Sequence, residues 1–178
     1  MIQPRFEYDI ASRRNFRIAG EIDIDEAQEK LWQIITQPGH LENFHPFVKN
    51  HDKVKNWHGV GSKDSGSFYS GKKMNRIVSD WKEGKEYSIK MKNSDQNDTR
   101  VRFALKFLSP KKTSFSITIN TDAYRKIPRP FWPIFSRFFL LPSFKNYLYS
   151  ILNGLAFYSE TGQKVNRNQF GRHGKFSP

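Results

Sequence analysis

Hydrophobic and polar positions alternate in some segments of this chain and recur at helical spacing in others. In Phe16–Ile24, Phe16, Ile18, Ile22 and Ile24 fall on one side and Arg17, Glu21 and Asp23 on the other, the period of a half-buried strand. The next segment changes period: Ala27, Leu31, Ile34 and Ile35 form a helical stripe with Trp32 at its margin. Asp25 is placed to cap that helix, Gln28 to cap it reciprocally, and Pro38-Gly39 to stop it. A short second helix over about His40–Phe44 precedes a turn at His45-Pro46.

From Phe47 to Asn120 the pattern predicts strands and turns. Val48–Trp57 reads as a strand and Gly59–Gly66, with three glycines, as a flexible loop. Ser67–Ser70 and Met74–Trp81 form a pair joined through Gly71-Lys72, and Glu83-Gly84 turns into Glu86–Lys92. The polar run Asn93–Asp98 is a loop tip. Val101, Phe103, Leu105 and Phe107 then alternate with Arg102 and Lys106, and Phe115, Ile117 and Ile119 alternate with Ser114, Ser116 and Thr118. Each of these strands has one apolar and one wet face, as in an antiparallel sheet covered on one side. Strand Met74–Trp81 allows two registers: Met74, Arg76, Val78 and Asp80 point inward, or Asn75, Ile77, Ser79 and Trp81 do.

The covering element is the last helix, predicted over Ser143–Gly162. Phe144, Tyr147, Leu148, Ile151, Leu152, Leu155 and Tyr158 make its apolar stripe, with Lys145, Asn146, Ser150, Asn153 and Glu160 largely on the other side. Burying each large side chain contributes roughly 2 kcal/mol. Gly154 in mid-helix costs about 1 kcal/mol relative to alanine, which close approach of sheet or ligand would explain. Four prolines cut Asp122–Pro142, where Pro133–Leu141 has room for two helical turns. The tail 163–178 is basic and polar, with Phe170 and Phe176 able to dock on the body.

Composition adds three points. Sixteen phenylalanines in 178 residues suit a large interior or a cavity wall, and the absence of cysteine excludes disulfides, thiolate nucleophiles and cysteine metal sites. The net charge of +13 is uneven: Ala123–Pro178 holds nine Lys or Arg against one acid, Glu160, leaving 21 against 16 for residues 1–122. A basic final third points to anionic partners. Its aromatic part, Arg125–Phe139, suits peripheral contact with an anionic membrane, or else closes one end of the core. The first ten residues lack the apolar stretch of a secretory signal, and no apolar run reaches transmembrane length, so the expected place is the cytoplasm.

The order strand, two short helices, a run of strands and one long helix excludes doubly wound α/β folds. It resembles the START/Bet v 1-like superfamily, in the polyketide cyclase/dehydrase or SRPBCC branch. The matching features run from Ile22 to about Val165: IDIDEAQEKLWQIITQPGHLENFHPFV, the Gly-Val-Gly loop after Trp57, KEGKEY, and YLYSILNGLAFYSETGQKV. The resemblance implies an α+β helix-grip fold. A curved antiparallel sheet of six to seven strands would wrap around the C-terminal helix, with two short helices after the first strand and a deep apolar cavity between sheet and helix. One domain over 1–178 is expected, its core about 13–165.

Function follows as an expectation: binding, and transport, of a hydrophobic small molecule such as a lipid, quinone or polyketide-like compound. The cavity would be lined by Phe44, Phe47, Phe68, Tyr87, Phe103, Leu105, Phe115 and Ile117, with Tyr147, Ile151 and Leu155 from the helix, each equally a plain core residue. His45, Arg76 and Tyr87 would orient the ligand's polar head. Two rivals are a cyclase or aromatase acting in the same cavity, for which Arg76, Asp80, Tyr87 and Asp122 are candidates, and a module binding a macromolecule. Nucleic acid ranks last among partners, because the tail lacks aromatic–basic interleaving. No catalytic residue, oligomeric state or cofactor is assigned, and no histidine pair has metal-ligand spacing.

Overall fold

The alternating segments assemble into a single eight-stranded antiparallel sheet in the order β1-β2-β8-β7-β6-β5-β4-β3. The computed structural model describes residues 2–55, 57–92 and 98–178. The strands are β1 (Arg5–Asp9), β2 (Phe16–Ile24), β3 (Val48–His51), β4 (Lys63–Phe68), β5 (Lys73–Lys82), β6 (Glu86–Lys92), β7 (Asp98–Ser109) and β8 (Lys112–Thr121). Helices α1 (Gln28–Thr36) and α2 (Leu41–Phe44) carry the chain from β2 to the far edge. From there β3 to β8 meander back until β8 pairs with β2, Ile22 opposite Phe115. The long helix α4 (Leu141–Thr161) lies against β2, β8 and α2. This is the helix-grip α+β fold.

The sheet has one strand more than expected, because the leader residues Arg5–Asp9 pair with β2. Two boundaries also move. Lys63–Phe68 is strand where Gly59–Gly66 suggested a loop, and β3 ends at His51. Asp25 is exposed and caps nothing. The helix begins after Ala27, and Gln28 Nε2 donates to the Gly84 carbonyl (2.7 Å), tying α1 to the β5–β6 turn. The loop tip predicted at Asn93–Asp98 lies, except for Asp98, outside the described residues.

Strand β5 uses both registers. Met74, Arg76 and Val78 are buried; a β-bulge between Val78 and Asp80 then shifts the phase, so Asp80 is exposed and Trp81 packs on Trp32 and Tyr87. Phe107 is 60 % exposed although it continues the apolar face of β7.

Before α4 the chain forms a 3₁₀ turn (Arg129–Phe131), the short helix α3 (Trp132–Phe135) and a π-helical turn (Ser136–Leu140), all leading into Leu141. Pro142 has no N–H for the Phe138 carbonyl, and a widened turn just before it accommodates that loss. Helix α4 ends where Gly162 adopts φ 70°, its N–H bonding the Tyr158 carbonyl at 2.8 Å.

The packing of α4 explains two glycines. A Cβ on Gly20 of β2 would meet Leu152 Cδ1 at 2.9 Å, and one on Gly154 would meet the Phe44 carbonyl oxygen at 2.1 Å. The close neighbour at Gly154 is therefore the end of α2. Part of the side of α4 read as polar is also covered: Ser150 and Asn153 are buried, while Asn146 and Glu160 are exposed. The tail crosses there, with Ser150 Oγ donating to the Phe170 carbonyl (3.0 Å) and Asn146 Nδ2 to the Arg172 carbonyl (2.7 Å). Among the described residues, no helix is long and apolar enough to cross a membrane.

Candidate functional site

Sheet, α1 and α4 bring the predicted lining residues together in two groups. Tyr87, Phe103 and Phe115 stack in a row across β6, β7 and β8, with centroid distances of 4.8 and 6.4 Å. His45, Phe47, Phe68 and Tyr147 meet at the other end, beside β3 and β4. Phe44, Leu105, Ile117, Ile151 and Leu155 complete the core between them. Apart from Tyr147, none of the thirteen predicted residues is more than 8 % exposed. These twelve side chains are buried between sheet and helix.

Arg76 points inward from β5 into a buried polar cluster. Its guanidinium grips Asp64 of β4 with both arms, Nε to Oδ1 at 2.7 Å and Nη2 to Oδ2. His51 Nε2 lies 2.9 Å from Asp64 Oδ2 and 2.7 Å from Arg76 Nη2, and Trp57 presents its ring 5.1 Å from the guanidinium carbon. Burial opposes the Asp64 carboxylate, but hydrogen bonds from Arg76 and His51 outweigh it and hold its pKa below the usual range. Beside them, His40 donates from Nδ1 to the Gln37 carbonyl (2.8 Å), and Tyr87 donates to the Ile35 carbonyl (3.0 Å). Burial, then the charge of Arg76, push the His40 pKa well down, so this ring is neutral. Burial pushes the Tyr87 phenol up. Arg76 and Tyr87 thus bond to protein groups. Asp80 is exposed and Asp122 pairs with Arg125 at 3.5 Å, so neither carboxylate joins the interior.

The second group is built differently. His45 Nδ1 accepts the Phe47 N–H (3.2 Å), which places the ring proton on Nε2, facing the Tyr147 hydroxyl at 3.1 Å. Burial, with the field of Arg76 next, lowers the His45 pKa to about 3. His45 is therefore a neutral donor, and Tyr147 keeps its own proton, with no acceptor for it among the described residues. The tail closes over this pair. Phe176 lies 4.5 Å from Phe68 and 5.0 Å from Tyr147 between ring centroids, while His173 reaches Ser143 Oγ through Nε2 (3.1 Å). The Phe176 carbonyl accepts the Ser70 N–H at 2.9 Å.

A space of about 30 Å³ remains under the tail, lined by Tyr124, Ser143, Phe144, Tyr147, His173, Lys175 and Phe176. That is room for about one water molecule. No carboxylate borders it. A larger depression of about 500 Å³ opens among Arg14, Asn15, Lys90, Asp98, Thr99, Arg100, Asn120, Thr121 and Asp122. It is lined by polar and charged residues and is open to solvent. No group of three or more potential metal ligands occurs among the described residues.

Residue-by-residue reading missed His51, Asp64 and Trp57 around Arg76, and His173 at the tail. For Asp64 a signal existed: Asp64, Gly66 and Phe68 share a phase, and Phe68 is apolar. The glycines around them masked it. For His173 no local pattern pointed inward.

No family model matches the sequence, and no curated protein matches it. Solved structures do share its fold. A START superfamily protein from Mycobacterium smegmatis superposes with a TM-score of 0.61 at 12% identity, over 83% of this chain and 99% of that one. CalU16 from Micromonospora echinospora gives 0.58 at 11%, over 91% and 88%. DynU16, a protein of the dynemicin biosynthetic locus, gives 0.54 at 12%, over 83% of this chain and 48% of that one. The chain is similar to these proteins in fold.

Proposed function

We propose that this protein binds a hydrophobic small molecule between α4 and strands β3 and β4, in the place its own Phe176 ring occupies. The carrying observation is the origin of that ring. Phe176 sits against Phe68, Tyr147 and His173, yet it comes from the stretch after α4, which lies over the body and belongs to no strand or helix. The rings beneath are fixed by sheet and helix; the tail is the layer whose displacement leaves room. A lipid, quinone or polyketide-like compound would place an apolar body or ring against Phe47, Phe68 and Phe144. The Tyr147 hydroxyl, held from behind by His45, would donate to a carbonyl or hydroxyl oxygen of the ligand. The likeness of fold to a START protein and to DynU16 supports this class of ligand.

Binding is favoured over cyclase chemistry by the polar groups present. Ser143, Tyr147, His173 and Lys175 border the space, but no carboxylate does among the described residues, and the Asp64–Arg76–His51 cluster is internally satisfied.

Titration with the apolar fluorophore N-phenyl-1-naphthylamine tests the reading. Saturable binding is expected, tightened about tenfold by Phe176→Ala because the occupied state no longer competes with the tail's own ring. Absence of saturable binding to both the native chain and Phe176→Ala would overturn it.

A further inference from the structure

The segment leading into α4 carries large apolar side chains on its outward side as well as on its inward one. Its inward positions are Trp132, Ser136 and Leu140, all buried, and Trp132 Nε1 donates to the Ile10 carbonyl at 2.7 Å. Its outward positions are Phe131, Ile134, Phe138 and Phe139, which are 60–66 % exposed. With 150–250 Å² per aromatic side chain, those four present roughly 500 Å² of apolar surface to water. Monomeric proteins rarely leave that much apolar surface contiguous without a use for it.

The charge around the patch says what kind of use. Lys126, Arg129 and Arg137 are exposed and have no carboxylate partner among the described residues. Between Ala123 and Ser159 the chain has no acid at all. The exposed apolar residues lie in helical turns whose sequence also carries the exposed cations Arg129 and Arg137, with Lys126 just before them, a mixture that suits a plane of anionic headgroups over an acyl layer. A second copy of the chain fits poorly, because a twofold contact would press these cations against their own counterparts.

We propose that residues 126–139 dock this protein on an anionic lipid surface, with Phe131, Ile134, Phe138 and Phe139 entering the headgroup–acyl boundary and Lys126, Arg129 and Arg137 meeting lipid phosphates. The same helical run continues into Phe144 and Tyr147, which border the space under the tail. Docking therefore sets that space close to the membrane. The proposal does not depend on what, if anything, the interior binds.

The test is co-sedimentation of the full chain with vesicles of phosphatidylcholine, with and without phosphatidylglycerol. Retention is expected on the anionic vesicles at low salt, falling at high salt and on neutral vesicles. Arg129→Glu with Arg137→Glu should lower the bound fraction about tenfold, as should Phe138→Ser with Phe139→Ser. All four sites are exposed, so unchanged thermal unfolding will show that the variants fold. No retention of the native chain on anionic vesicles at low salt overturns the proposal. So does sedimentation equilibrium showing a dimer that Phe138→Ser with Phe139→Ser converts to monomer, since the patch would then be a contact between copies.

Discussion

Two regions of this protein reverse the usual placement of side chains. Around Arg76, a guanidinium, a carboxylate and two imidazoles are buried, at 0–7 % exposure. Along Phe131–Phe139, three phenylalanines and an isoleucine stand in solvent. The difference lies in what each region lacks. Inside, every polar group of the cluster except the Trp57 indole nitrogen meets another group of the protein. Outside, the rings have only their neighbours, such as Phe135 against Phe139. Buried polarity with partners is architecture, and exposed apolarity without them asks for something beyond the molecule.

The largest effect should come from removing one half of the inner pair. Arg76→Leu leaves Asp64 buried and uncompensated and should cost about 3–5 kcal/mol in chemical denaturation. Arg76→Met combined with Asp64→Leu should cost clearly less, because no charge is then stranded. A single-variant loss under about 1 kcal/mol would mean that the cluster is solvated and the contrast false.

Acid titration comes next. The folded-state pKa of His45 is about 3 and that of His40 is also lowered, both first by burial. An unfolded chain takes up these protons near pH 6.5, and the folded one does not. The stability this contributes is complete above about pH 6.5 and falls as pH drops toward 3, by up to about 1.4 kcal/mol per unit for each ring. His45→Gln should flatten that slope. The Asp64 pKa is lowered as well, so its contribution fades only below the ordinary carboxylate value. A stability flat between pH 6.5 and 4 would sink this view of the interior.

The smallest effect should be at the outer patch. Phe138→Ser should change stability by no more than about 0.5 kcal/mol, since the ring is 66 % exposed. A loss of several kcal/mol would turn the patch into core and erase the comparison.

The strands from Phe103 to Ile119 and helix α4 were legible because alternation and helical spacing are local signals, as was the punctuation by Gly162. Gly154 announced a close approach, though not that the Phe44 carbonyl makes it. Arg76 was legible only as an ambiguity: the bulge after Val78 depends on pairing with β6, which one strand's pattern does not contain. Asp64 and His51 were hidden because their partners sit 12 to 25 positions away. The path of the tail past Asn146 and Ser150 was hidden for the same reason, so that side of α4 looked solvent-facing. Filled core and open cavity also share one sequence pattern, since both require large apolar side chains on inward faces.

Native mass spectrometry of the protein purified from its own host tests the binding reading most directly, with Phe176→Ala alongside. Binding requires a discrete added mass of a small molecule on the folded chain, with higher occupancy in Phe176→Ala and loss on denaturation. The bare polypeptide mass for both proteins would contradict it.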